Sequence, residues 1–244
     1  MNIAIVTGAG TGIGAATAQR LSGLGWGVAL VGRRRDMLEE TAAACVGATQ
    51  IIAADLADAA AAQHVVDETI KAFGRLDALV NNAATIKVMP LADYPLDIID
   101  LHWAVNIRAP FLLIQAALPE LRKSRGAVVN ISSSSGTLLR PGQSLYGMTK
   151  SALEYLTRSL AGELAPDGIR VNALALGPFD TPIHKTWATN LEEAYEWLAK
   201  QVPLQRIAKP EEAARWIELL VSPESAWMTG AVIPLDGGQT LDIA

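Results

Sequence analysis

The sequence predicts an α/β fold, one doubly wound parallel sheet with helices on both faces. Three observations carry this. The candidate strands are continuous apolar runs rather than alternating ones, as strands covered on both faces are. Strand and helix signals alternate along the whole chain, which sets successive strands parallel through helical crossovers. No Pro/Gly/Ser-rich linker interrupts residues 1–244, so one domain is expected.

Each element follows from its own signal. "IAIV" (3–6) is a buried strand, and "GAATAQRLSGLG" is a helix ending near Gly25. "GVALVG" (27–32) and "RDMLEETAAAC" (35–45) are the second strand and helix. "TQIIAAD" (49–55), the helix at 60–74 and "LDALVNNA" (76–83) follow. Residues 97–124 form a long helix in which Pro110 predicts a kink or break, because proline lacks the N–H and crowds the preceding turn. "GAVVNISS" (126–133) is the fifth strand, and the helix at 146–165 stops before Pro166 and Gly168. "IRVNALALGP" (169–178) is the sixth strand. A looser region follows, with helices at 190–201 and 210–223 and a last strand at 230–237.

Composition narrows the function. The net charge is −5 and the pI about 5.3, which argues against a basic nucleic-acid-binding surface. The opening "MNIAIVTGAG" lacks the basic-then-apolar pattern of a signal peptide, and no run reaches the roughly 18 apolar residues of a membrane span. The single cysteine, Cys45, forbids an internal disulfide, suits a reducing cytoplasm and reads as a small packed residue near a helix end. No His/Cys/Asp cluster has metal-ligand spacing, and His64 and His102 read as surface or packing residues.

The first strand runs into "TGAGTGIG" (7–14), which opens a helix. Glycines there let the backbone approach a phosphate and aim helix N–H groups at it. The spacing of Gly8, Gly12 and Gly14 is looser than the usual dinucleotide fingerprint, but its place after the first strand matches nucleotide binding. The second strand ends at Gly32, where a ribose-binding carboxylate would stand for NAD; Arg33, Arg34 and Arg35 follow. Guanidinium matches a phosphate in charge and fork geometry, so NADP(H) is favoured, with NAD(H) as the alternative. Arg33 is the main expected contact and Arg34 the second. Asp36 follows the strand too late for a ribose and reads as a helix-start residue.

These motifs, with "NNAA" (81–84), Asn106 in "VNIRAPF", "NISSSSG", "YGMTK", "LGPFDT" and "LDGG", resemble the short-chain dehydrogenase/reductase family. They fall in that family's order and cover almost the whole chain. The resemblance implies a Rossmann-like domain of about seven strands, a nicotinamide cofactor, hydride transfer at an alcohol or carbonyl carbon, and a homotetramer, with a dimer as the alternative. Tyr146 and Lys150 match the family's YxxxK. Ser133, thirteen residues before the tyrosine, matches its serine, and Asn106 completes the tetrad. Asp55 and Leu56 match positions at the adenine; Gly8, Gly12, Ile13, Gly14, Asn81 and Ala83 match others along the cofactor. Pro178 and Thr181 match the segment facing the nicotinamide. Ala84 departs from the family's usual glycine and narrows the space beside the cofactor.

Hydride transfer to a carbonyl creates an alkoxide that needs a hydrogen-bond donor and a proton. A free phenol has a pKa of about 10. Lys150, one turn on from Tyr146, and the positive end of the helix are both expected to lower it. Ser133 is expected to donate to the substrate oxygen, Lys150 to reach the ribose, and Asn106 to hold a water leading from Lys150 to solvent. Ser132, Ser134 and Ser135 read as loop or backbone-bonding residues. A lid at about 182–202, rich in aromatics, covers the substrate; Trp197 and Leu198 are expected to pack it onto the body. Phe179, Trp187, Leu138 and Leu139 give an expected apolar wall, suited to a small or medium ketone or secondary alcohol. A 3-oxoacyl-carrier-protein reductase needs a basic docking patch, for which Arg108, Arg122, Lys123 and Arg125 are candidates. Imine reduction and a non-catalytic cofactor-binding sensor remain as further readings, although a sensor has no use for an acid/base set.

Overall fold

The computed structural model describes residues 1–241; the last three residues of the expected domain lie outside them. Seven parallel strands form one sheet: β1 Ile3–Thr7, β2 Gly27–Gly32, β3 Thr49–Ala53, β4 Ala78–Asn81, β5 Ala127–Ser133, β6 Arg170–Leu176 and β7 Val232–Leu235. Their order across the sheet is β3-β2-β1-β4-β5-β6-β7. The helices are α1 Gly12–Gly23, α2 Arg35–Ala44, α3 Ala61–Phe73, α4 Leu96–Trp103, α5 Ala109–Ser124, α6 Ser144–Leu164, α7 Leu191–Lys200 and α8 Pro210–Val221. The order reverses between β1 and β4, and the crevice beyond the carboxyl ends of the strands there is where such sheets hold ligands.

The core lies on both faces of the sheet, which is why the strands are apolar throughout. Ala4 and Val6 of β1 pack with Leu21 of α1 and Ile217 of α8. Ile5, between them, points the other way onto Val65 of α3, Leu113 of α5 and Leu164 of α6. The alternation is the two-residue period of a strand with an apolar layer on each side.

The long helix expected over 97–124 is interrupted, although not by a kink at Pro110. A π-helical turn at Ala104–Arg108 separates α4 from α5, and Pro110 sits in the first turn of α5. The wider turn contains Asn106, whose carbonyl the Pro110 ring would otherwise crowd. The turn also carries the Asn106 side chain inward. Cys45 caps α2, half-buried against the core, and burial pushes its thiol pKa up. His102 is fully buried; its Nδ1 lies 2.7 Å from the Ile98 carbonyl, and its Nε2 accepts from the Lys87 N–H at 3.1 Å. That is a packing residue with both nitrogens used. No described helix is long and apolar enough to cross a membrane.

Candidate active site

A cleft of about 450 Å3 opens at the carboxyl ends of the strands and runs from the end of β2 to the lid. Its floor begins at the turn after β1. Gly8 and Gly12 have φ of +66° and +53°, left-handed values that other residues adopt at a cost. Thr11, Gly12 and Ile13 open α1 onto the cleft, so the first N–H groups of that helix lie along it. Gly14 does not line the cleft; a Cβ there would overlap the Gly8 carbonyl oxygen, so its absence lets the turn close against the helix. The Thr7 hydroxyl accepts from the Asn82 and Ala83 N–H groups at 2.9 and 3.0 Å, fastening the ends of β1 and β4.

Along the next wall stand Gly32, Arg33 and Arg34 at the end of β2, and Asp55 and Leu56 after β3. Arg33 and Arg34 are exposed and make no ion pair among the described residues, whereas Arg35 pairs with Glu39 at 3.1 Å. Ala83 and Ala84 line the cleft as well, but Asn81 does not. As the last residue of β4, Asn81 points into the sheet, where its Nδ2 donates to Asn130 Oδ1 at 2.9 Å. Its neighbour Asn82 faces the cleft instead.

Ser133, Tyr146 and Lys150 converge at the far end of the cleft. Tyr146, in the first turn of α6, is buried; the Lys150 Nζ lies 5.5 Å from its ring centroid and donates to the Ile131 carbonyl at 2.8 Å. The expected lowering of the phenol pKa is not what the free chain shows. Burial pushes Tyr146 up to about 12, with the Ser133 hydroxyl working in the opposite direction. Burial also brings Lys150 down to about 8, against the pull of the Glu154 carboxylate. Desolvation dominates both shifts, because each side chain is almost wholly buried. The phenol is therefore held as an acid at neutral pH.

Asn106 lies behind this set rather than in the cleft. Its Oδ1 accepts from the Thr85 N–H at 2.9 Å, and its Nδ2 donates to the Thr85 carbonyl and to Thr149 Oγ1, each at 3.0 Å. With both N–H groups engaged, it ties the segment after β4 to α6; only a second lone pair on Oδ1 is left for the expected water.

The serine run does more than sequence reading assigned it. Ser132 donates to Glu154 Oε1 at 2.7 Å, Ser134 to Gln239 Oε1 at 2.9 Å and Ser135 to Gln143 Oε1 at 2.9 Å. Ser133 accepts from the Ser135 N–H at 3.2 Å and is the one that faces Tyr146. Three long polar side chains are thus anchored around Ser133. Gln143 lies only eight residues from Ser135, but Glu154 and Gln239 lie 22 and 105 residues from their serines, so no local motif announces those two.

The segment expected as a lid borders the cleft. A short 3-10 helix at Pro182–Thr186 and then α7 cover the cleft, which Phe179, Thr181, His184 and Trp187 line along with Pro178. His184 packs edge-on between Trp187 and Tyr195, with centroids 5.7 and 5.5 Å away. Leu198 is buried and packs the lid, but Trp197 is 52% exposed and does not. The loop before α6 also departs from expectation. Leu139 is 98% exposed, and neither it nor Leu138 lines the cleft. The turn at 141–142, with Gly142 at φ +75°, swings the leucines out and brings Arg140 and Gln143 inward. The wall beside Ser133 is polar. Among the described residues no three His, Cys, Asp or Glu side chains gather as a metal site.

A glycine turn feeding a helix at the reversal point of a parallel sheet, with a Ser–Tyr–Lys set in the same cleft, defines a nucleotide-dependent oxidoreductase. Comparison with known proteins agrees. A family model described as enoyl-(acyl carrier protein) reductase matches residues 8–240. A 3-oxoacyl-[acyl-carrier-protein] reductase of Thermotoga maritima is 34% identical over 97% of this chain and 96% of its own. Two solved structures superpose with TM-scores of 0.92, each covering 98% of both chains. One is a doubly substituted short-chain dehydrogenase/reductase of Serratia marcescens, 35% identical. The other is a 3-ketoacyl-(acyl-carrier-protein) reductase of Brucella melitensis complexed with NADH, 28% identical. The chain belongs to the short-chain dehydrogenase/reductase family and is an NAD(P)-dependent oxidoreductase acting on CH–OH and C=O groups.

The site suits a nicotinamide dinucleotide. The positive-φ glycines leave the turn without side chains where a pyrophosphate would lie, and the α1 N–H groups face the same space. Gly32, Asp55 and Leu56 line the same cleft, as do Pro178 and Thr181.

Proposed function

We propose that the chain interconverts a secondary alcohol and a ketone, with NADP(H) as its preferred cofactor. The observation that carries this is the burial of Tyr146 and Lys150 beside Ser133 in the cleft that also holds the glycine turn. A bound nicotinamide supplies or accepts the hydride. Ser133 donates a hydrogen bond to the carbonyl oxygen and fixes it near the phenol. Tyr146 gives its proton to the alkoxide oxygen, and Lys150 keeps positive charge beside the phenolate that results. Phosphate recognition falls to Arg33 and Arg34, which have no counter-ion among the described residues, while no carboxylate closes β2. Tyr146→Phe should reduce turnover by roughly 10²–10⁴-fold with NADPH binding still measurable. Arg33→Ala should raise the Michaelis constant for NADPH about tenfold while leaving that for NADH nearly unchanged. Full activity in the first variant, or equal effects on the two cofactors in the second, would refute these assignments.

A carrier-linked 3-oxoacyl group is the second reading, supported by the names of two relatives. A homotetramer is supported by exposed apolar side chains on neighbouring helices: Trp103 on α4, Phe111 on α5, and Met148 and Tyr155 on α6. Light scattering that returned a monomer would exclude it. A cytoplasmic setting accords with the lone half-buried thiol.

A further inference from the structure

Buried polar atoms without partners are rare in folded proteins, and each points to something that completes it. Among the described residues there are four such side-chain atoms: Asn81 Oδ1, Arg140 Nε, His184 Nδ1 and Gln239 Nε2. The last three belong to residues that line the cleft. His184 Nε2 lies 2.9 Å from the Phe179 carbonyl, which makes it the N–H donor. Burial favours the neutral ring, so Nδ1 presents a lone pair. Arg140 Nε and Gln239 Nε2 are N–H donors, and Gln239 is held next to Ser133 by its bond from Ser134.

Arg140 differs from every other arginine. Three of the thirteen are withdrawn from solvent: Arg20, Arg140 and Arg170. Arg20 pairs with Glu218. Arg170 donates to the Leu220 carbonyl at 2.9 Å, to Ser225 Oγ at 2.8 Å and to the Ser222 carbonyl at 3.1 Å. The Arg140 side chain has no described hydrogen bond or ion pair; only its backbone carbonyl is engaged, accepting from the Gln143 N–H at 3.1 Å. A half-buried guanidinium loses hydration and regains nothing from the protein, an arrangement that an anion in the cleft would reverse. The cleft offers one carboxylate, Asp55, which lies after β3 on the far wall.

We infer that the substrate carries an anionic group in the same molecule as its carbonyl, and that Arg140, assisted by Gln239, receives it. A carboxylate on a short oxo acid fits the planar fork, and a phosphate on a thioester arm shares the chemistry. This rests on the carbonyl-reduction reading and replaces the apolar wall expected around Leu138 and Leu139.

The test is NADPH oxidation by the intact protein with paired substrates. Short α-, β- and γ-oxo acids are each set beside their methyl esters. The coenzyme A thioester of an oxo acid is set beside its N-acetylcysteamine thioester, which lacks the phosphates. Wild type should favour one anionic partner over its neutral twin. Arg140→Gln should raise the Michaelis constant for that partner roughly ten- to hundredfold while leaving kcat and the neutral twin nearly unchanged. Arg140→Lys should restore part of the preference, and it serves as the readout if Arg140→Gln folds poorly. Loss confined to the oxo acid identifies a carboxylate; loss confined to the coenzyme A thioester identifies a phosphate. Equal turnover of anionic and neutral twins by wild type, or equal losses in the variants, would overturn the inference. Reduction of neutral ketones without any anionic preference would defeat it and leave the proposed reaction standing. No reduction of any carbonyl would defeat the proposed reaction itself.

Discussion

The sequence motif YxxxK names two residues, and their burial decides how they behave. Enclosure holds the Tyr146 proton up to about 12 and lets the Lys150 proton go near 8. In reduction Lys150 must be charged to stabilise the phenolate that Tyr146 becomes. The rate should therefore be flat below about 8 and decline above it, roughly tenfold per pH unit for one group. A pH profile of reductive kcat checks this, and a rate flat through pH 10 would remove the Lys150 charge from the step. The same shifts act on stability with opposite signs. Lys150 releases its proton in the folded chain first, so stability rises with pH between about 8 and 10.5. Tyr146 keeps its proton longer when folded, so stability falls with pH between 10.0 and about 12. That Tyr146, Lys150 and Ser133 share one cleft was anticipated by the family resemblance, in which their spacing is matched. The direction of the phenol shift was not, since it depends on enclosure by residues far away in the chain.

At the scale of elements, strands and helices were legible wherever one period dominated. The uninterrupted apolar runs became β1, β2, β5 and β6 because both faces of the sheet are covered. Loops were harder, since a one-residue change in turn geometry exchanges which side chains face inward. Leu138 and Leu139 gave way to Arg140 and Gln143 in this manner, and Asn81 to Asn82 at the end of β4. The π turn before α5 was equally hidden: Pro110 signalled a disturbance but not its form. The turn between β1 and α1 is the contrary case, where the glycine pattern and the geometry correspond. Gly14→Ala should push a methyl group into the Gly8 carbonyl and destabilise the fold by about 1–3 kcal/mol, with weakened dinucleotide affinity. Thermal melting with and without NADPH checks both effects; an unchanged melting temperature and an unchanged ligand shift would show that the turn has slack.

Across the whole molecule, a parallel sheet has two unlike ends, and charge at one end does not serve the other. The cleft lies at the carboxyl end. Of the four basic residues expected to dock an acidic carrier, only Arg108 lies near that end, donating to the Ala57 carbonyl beyond β3. Arg125 lines a separate groove at the amino ends of β5 and β6, together with Ala127 and Arg170. Arg122 and Lys123, at the close of α5, pair with Asp167 at 2.7 Å and Glu120 at 2.6 Å. Their own carboxylates already offset part of that charge, and salt screens interactions beyond about 8 Å at physiological strength. The double variant Lys123→Glu, Arg125→Glu should therefore change kcat/KM for a carrier-linked 3-oxoacyl substrate by less than about twofold. The same assay on a free ketone is the control. A selective fall with the carrier-linked substrate would place a docking surface at the end of the sheet remote from the chemistry, and the acyl arm would then have to pass around α5 to reach Tyr146.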